Sequence, residues 1–139
     1  MQTRTIKLLL VTIFSVFALC SYGQCEAKIK AFYVEYMQNA ENNEDDNVKL
    51  LKAHMSPELI AKLKEVTQKY DADAIIHAQD VCEYGIQSLS VLPKNDDWYL
   101  VKYRWSPQSE YTCITVRATD KDGELTILDI LPPDFIVEI

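Results

Sequence analysis

Two hydrophobic periods divide the chain. From 26 to 40, Ile29, Phe32, Tyr33, Tyr36, Met37 and Ala40 recur at i, i+3, i+4, i+7 and i+8, the spacing that lines one stripe of an α-helix. The pattern stops at Glu41-Asn42-Asn43-Glu44-Asp45-Asp46, which has no apolar anchor and reads as a solvated loop. It lacks the ligand spacing and turn glycine of a calcium loop. Asn47 is placed to cap a short helix through Met55. Ser56-Pro57-Glu58 then starts another, with a capping hydroxyl, proline at the first helical position and a carboxylate near the positive helix end. Leu59, Leu63, Val66 and Tyr70 form its inward stripe.

From 84 onward the period falls to two, and β-branched and aromatic residues alternate between turn clusters. Four strands are expected, over 84–92, 97–106, 110–119 and 124–131. Their connections are Pro93-Lys94-Asn95-Asp96, Ser106-Pro107-Gln108-Ser109 and Asp120-Lys121-Asp122-Gly123. Connections this short join antiparallel neighbours. Tyr99, Val101, Tyr103 and Trp105 share the face expected to meet the helices, and Trp98, Lys102 and Arg104 share the other. In the third strand Thr112, Ile114, Val116 and Ala118 point inward, leaving Tyr111, Cys113, Thr115 and Arg117 outside. Helices followed by an antiparallel meander specify an α+β domain, N-terminal helices packed on a curved four-stranded sheet.

Ahead of this domain Arg4 and Lys7 precede a dozen largely apolar residues, Leu8 to Leu19, with small residues Ser21 and Gly23 following. This is the order of a signal peptide, cleaved after Gly23. The run is too short for a permanent membrane anchor, which needs ~20 residues. Leu19 stands where a lipidation signal places a small residue, which favours cleavage over lipidation at Cys20. The expected mature protein, 24–139, is therefore one periplasmic or secreted domain.

Removing Arg4 and Lys7 from the 14 basic residues leaves 12 against 21 acidic ones, a net charge of −9. No basic stripe exists to displace phosphate counterions, so nucleic acid is not an expected partner. The acidic balance suits a cationic ligand or a basic protein, and plain solubility accounts for it equally well. Cys25, Cys82 and Cys113 remain after cleavage. An oxidising compartment allows one disulfide, for which Cys82 with Cys113 is preferred because both lie near the sheet.

Phe32-Tyr33-Val34-Glu35-Tyr36, together with Asp71-Ala72-Asp73-Ala74-Ile75-Ile76-His77-Ala78-Gln79-Asp80, resembles the small exported bacterial proteins of domain-of-unknown-function family 3828. The likeness spans most of the mature chain. It implies a cystatin-like, nuclear-transport-factor-two-like fold and export of the Bacteroidetes kind. It implies no activity.

Asp71, Asp73, His77 and Asp80 are the densest group of acid–base or ligating side chains. On a helix Asp73, His77 and Asp80 would converge on a metal or a proton-transfer site. The competing reading makes these aspartates caps and acceptors for backbone N–H groups, and no metal is expected. An enzyme of the isomerase or dehydratase type would draw on Asp80, Tyr36 and His77, with Tyr33, Tyr99, Tyr103 and Asp129 as further material. Tyrosines at these spacings also serve as core. Cys82 and His77 show no pattern that orients a nucleophile, and His54 lies among apolar helix positions. With three glycines in the chain, no phosphate-cradling loop exists and no cofactor is implied. A noncatalytic binding protein, recognising a protein (an inhibitor or immunity protein among the options) or a small ligand, asks less of the sequence. Trp98, Lys102, Arg104, Tyr111 and Arg117 on the outer sheet face are its expected contacts, since aromatics interleaved with arginine make interface anchors.

Overall fold

The computed structural model describes residues 23–133. The expected signal peptide, Cys20 included, lies outside these residues apart from Gly23. Helix α1 runs Gln24–Asn42, α2 Glu44–His54, α3 Pro57–Tyr70 and α4 Glu83–Ser88. The strands β1 Ser90–Asn95, β2 Trp98–Tyr103, β3 Thr112–Lys121 and β4 Glu124–Ile130 form an antiparallel meander in the order β1-β2-β3-β4. Helices packed against this open sheet make the expected α+β class.

The stripe of α1 is buried as its periodicity predicts: Ile29, Phe32, Tyr33, Tyr36 and Met37 all lie in the core. Burying a large apolar side chain is worth ~1.5–3 kcal/mol, so this stripe is a main source of helix stability in a segment with no side-chain cap at its start. Against it the sheet presents Val101, Tyr103, Ile114, Val116 and Ala118, each 1% exposed or less. Tyr99 packs at the margin of the same face. Trp105, expected to continue it, lies past the end of β2 and is 39% exposed.

Three local expectations are corrected. The acidic segment 41–46 is no loop: α1 continues to Asn42, and Asn43 alone separates it from α2. Asn43 caps α2 through a bond from the Asp45 N–H, while Glu44, Asp45 and Asp46 fill the first turn, where the helix dipole favours carboxylates. Asn47, expected as the cap, is instead buried and donates to the Tyr36 carbonyl at 2.9 Å. The beginning of the expected first strand is helix α4. Its Cys82 side chain acts as a cap, Sγ accepting from the Gly85 N–H at 3.3 Å. Gly85 suits the close approach there, since an added Cβ would stand 3.3 Å from the Tyr103 ring and push it back by a few tenths of an ångström.

Segment 71–80 is not helical either. Asp71 ends α3 in the left-handed conformation, φ 52°, and His77 is left-handed too, φ 55°. Between them Asp73 and Ala78 form an antiparallel bridge, with Asp73 N–H to Ala78 C=O at 2.9 Å and His77 N–H to Asp73 C=O at 2.7 Å. The tight loop so closed carries Ala74, Ile75 and Ile76 into the core.

The sheet edges are managed differently. Edge strand β1 contains Pro93 and a register irregularity between Pro93 and Asn95, which disrupt a regular ladder. On β4 the Leu125 carbonyl is taken by His54 Nδ1 at 2.8 Å, and Lys62 bonds Asp129 at 2.7 Å, tying helices α2 and α3 to that strand. The opposite face of the sheet has no helix among the described residues.

Candidate functional site

In a helix-on-sheet fold, the space between helix and sheet is one place for a pocket, and here it is filled. The loop 74–76 enters it, and two tyrosines from opposite layers fasten it. Tyr33 of α1 donates to the Ile75 carbonyl at 2.9 Å, and Tyr103 of β2 donates to the Ile76 carbonyl at 2.6 Å. Burial raises both phenol pKa values, that of Tyr103 to about 12, so these hydroxyls stay protonated donors. Their hydrogen bonds satisfy backbone acceptors that the core would otherwise strand.

The residues weighed for catalysis are dispersed. Tyr36 donates to Asp73 Oδ2 at 2.5 Å, while Asp73 Oδ1 accepts the Ile75 N–H at 2.8 Å. Burial first, then the adjacent Asp73 charge and hydrogen bond, drives the Tyr36 pKa far up. The pair borders a cavity of about 360 Å3 whose other walls include Leu51, Ile60, Leu63 and Lys64. It anchors the 73–78 turn to α1. His77 is buried elsewhere, its Nε2 3.0 Å from the Leu131 carbonyl. Asp80 is exposed and accepts the N–H of its neighbour Val81. Asp73, read as part of a helical triad, therefore partners Tyr36 instead, and the Asp80 carboxylate is turned back to the backbone of its own neighbour. Among the described residues no three His, Cys, Asp or Glu side chains are grouped to hold a metal ion.

Cys82 and Cys113 are free thiols, as is Cys25, so the expected disulfide is not formed. The physical reason is local. Cys82 faces into the first turn of α4, where it caps, and Cys113 sits exposed in mid-sheet opposite Lys102.

The residues expected as partner contacts lie on the helix-free face. The register sets Lys102 between Ser90 and Cys113, Leu100 between Leu92 and Thr115, and Trp98 beside Arg117. Just before β3, the Tyr111 ring takes Lys102 Nζ at 4.7 Å and the Arg104 guanidinium at 4.8 Å from its centroid. Cations held this way contribute ~0.5–1 kcal/mol each at an exposed site and fix the ring. Neither Lys102 nor Arg104 has an ion-pair partner among the described residues, and the buried Arg104 Nε lacks a hydrogen-bond acceptor. Arg117 differs: its Nε is occupied by Asp97 at 2.9 Å.

Around this cluster the face is apolar and open. Leu92, Tyr111 and Leu131 are 46%, 44% and 38% exposed, and Leu128 adjoins on β4. A groove of about 370 Å3 runs beside Tyr111, between 112–115 and Leu131, Pro132 and Pro133, with His77 at its base. Leu131 is held there by its N–H to the Thr115 carbonyl, 3.0 Å.

The chain is similar to a protein of known structure. A crystal structure of a protein of unknown function from Bacteroides thetaiotaomicron superimposes with a TM-score of 0.70 at 29% identity, covering 88% of this chain and 99% of that one. No family model and no curated protein matches the chain. The likeness supports the helix-on-sheet fold over nearly the whole relative and brings no activity with it.

The sheet-face cluster was readable from alternation in β2 and β3. What sequence reasoning missed was the pairing of Asp73 with Tyr36 and the plugging of the interior by 74–76. The apolar triplet Ala74-Ile75-Ile76 between polar residues was the available signal.

Proposed function

We propose that this is an exported, noncatalytic binding protein whose helix-free sheet face docks a protein partner presenting carboxylates beside aliphatic side chains. The carrying observation is the Tyr111 ring with both the Lys102 ammonium and the Arg104 guanidinium within 5 Å of its centroid, beside an open groove. Two cations without carboxylate partners, on a chain of net charge −7, form a local positive patch against an acidic background. A partner carboxylate would meet in Arg104 a guanidinium with no competing ion-pair partner among the described residues. Leu92, Leu100, Leu131 and Trp98 add the apolar area that an interface core requires.

The filled interior supports the same reading. An acid–base enzyme of the Asp/Tyr type needs groups that can exchange protons with a bound substrate, and here Tyr33, Tyr36, Tyr103 and Asp73 are committed to internal hydrogen bonds. Membership of domain-of-unknown-function family 3828, its cystatin-like, nuclear-transport-factor-two-like fold, and a periplasmic or secreted location after cleavage at Gly23 belong to this proposal. The packing of α1 on a meander fits that fold, and the basic and apolar leader supports export.

The test is parallel capture of partners from an envelope extract of the source organism by residues 24–139 and by the Arg104→Ala, Tyr111→Ala and Trp98→Ala variants. A stoichiometric protein retained by the wild type, purified and rebound, should lose at least ~30-fold in affinity with Arg104→Ala, the scale of an interface hot spot. Its binding should weaken as salt rises. A partner that binds all variants equally well places the interface elsewhere.

A further inference from the structure

On the helix side of the sheet, a second cavity of about 380 Å3 opens where α1, the end of α2 and the β3–β4 hairpin meet. Lys28, Phe32, Glu35, His54, Glu124 and Leu125 line it. That volume falls in the lower part of the ~300–1,000 Å3 range of small-molecule sites. Its charge is decided by what Lys28 does. The Lys28 ammonium is bonded to both Asp120 carboxylate oxygens and to the Gly123 carbonyl, each at 2.8 Å, so it is neutralised by Asp120 and has its donors directed into the hairpin. Glu35 and Glu124 are exposed at the rim and have no ion-pair partner among the described residues, which leaves two solvated carboxylates at the cavity mouth.

Two independent features add to this. Helix α2 ends at His54, on the cavity wall, so the negative end of its dipole lies there. His54 Nδ1 is 2.8 Å from the Leu125 carbonyl, and a carbonyl only accepts. Nδ1 therefore donates, and Nε2, the nitrogen left to accept when the ring carries a single proton, has no hydrogen-bond partner among the described residues. The Phe32 ring meets the imidazole edge-on, centroids 5.6 Å apart, which fixes the plane of the ring and gives the cavity an apolar floor.

We propose that this cavity binds a small organic cation, a primary alkylammonium. Its N–H groups would be shared between the Glu35 or Glu124 carboxylate and His54 Nε2, and its alkyl stem would cover Phe32 and Leu125. The site is separate from the sheet face and does not depend on it. An anion would meet two carboxylates and a helix C-terminus. A neutral ligand would gain nothing from either carboxylate's charge.

The experiment is an NMR titration of the purified protein with butane-1,4-diamine, using butane-1,4-diol as the neutral counterpart of the same length. The expected result is saturable movement of the His54 ring and Leu125 amide signals with the diamine and none with the diol. Glu35→Gln with Glu124→Gln should weaken the diamine about tenfold or more, equivalent to ~1.4 kcal/mol, with unchanged far-UV circular dichroism. His54→Gln, which retains an acceptor, should bind more tightly than His54→Leu. Arg104→Ala should bind the diamine like the wild type, so a failure of the sheet-face reading leaves this result intact. No saturable shift up to about 10 mM diamine, equal binding of the diol, or undiminished binding by the double glutamine variant would each overturn the proposal.

Discussion

Tyr33→Phe removes one oxygen from the molecule and keeps the aromatic ring. Tyr33 is fully buried, and its hydroxyl is 2.9 Å from the Ile75 carbonyl in the loop that fills the space between helix and sheet. Without it that carbonyl loses this donor in a place where water does not readily replace it. Stranding a buried acceptor costs ~1–3 kcal/mol, whereas the exchange of hydroxyl for hydrogen on the ring is nearly free by itself. A loss of 1 kcal/mol lowers the Tm of a domain this size by roughly 4 °C, so the expected fall is about 4–12 °C. In urea the midpoint should drop while the slope m stays unchanged, because the native surface is the same. Tyr103→Phe acts on the adjacent Ile76 carbonyl, 2.6 Å away, and should be destabilising too. The two losses should couple in a double-mutant cycle, since both hydroxyls hold one short segment. A Tyr33→Phe variant within ~0.3 kcal/mol of wild type would refute the argument that these hydroxyls fasten the plug.

Other consequences follow from the same packing. With Cys25, Cys82 and Cys113 all free, dithiothreitol should leave the Tm unchanged. Iodoacetamide should label exposed Cys113 well before Cys25, whose thiol pKa is raised by burial; mass spectrometry of timed samples reads both. Gly123→Ala should cost about 1 kcal/mol in a urea melt. Its φ is +81° and no atom would meet the new Cβ within 4 Å, so the loss is backbone strain alone. Stability should also fall at high pH. The unfolded chain releases tyrosine protons near pH ~10, while the native state holds that of Tyr103 to about 12 and those of Tyr33 and Tyr36 more tightly than usual. The stabilisation is complete below pH ~10 and is lost as pH rises from there to about 12, since the unfolded state then binds fewer protons. Urea midpoints across that window should show the fall, and it should be shallower in Tyr103→Phe.

The parts of the fold that were legible are those where one period dominates. The α1 stripe and the alternation Val101, Tyr103 against Lys102, Arg104 each commit a whole segment to one face, and tertiary packing had only to accept them. The misread segments are those where a short-range interaction outweighs the period. Tyr84 and Ile86 alternate like a strand, yet the Cys82 cap and the close approach of Gly85 to Tyr103 hold them in a helix. Glu44, Asp45 and Asp46 read as solvated until their place at a helix N-terminus is seen. Asp73, His77 and Asp80 have helical spacing, but left-handed backbones at Asp71 and His77 break the register that would have joined them. The candidate contacts on the sheet face followed from alternation alone; the seating of Tyr111 against two cations depends on an eight-residue connection whose path no period encodes.

The central claim is that Tyr111, Lys102 and Arg104 are the centre of a protein-binding face. Its most direct test is the affinity of the purified partner for wild type, Tyr111→Ala and Arg104→Ala by titration calorimetry, with Glu35→Gln on the helix side as the control. Both sheet-face variants should lose about 30-fold or more while the control binds like wild type. Equal affinities across all four proteins, or a loss confined to Glu35→Gln, would contradict it.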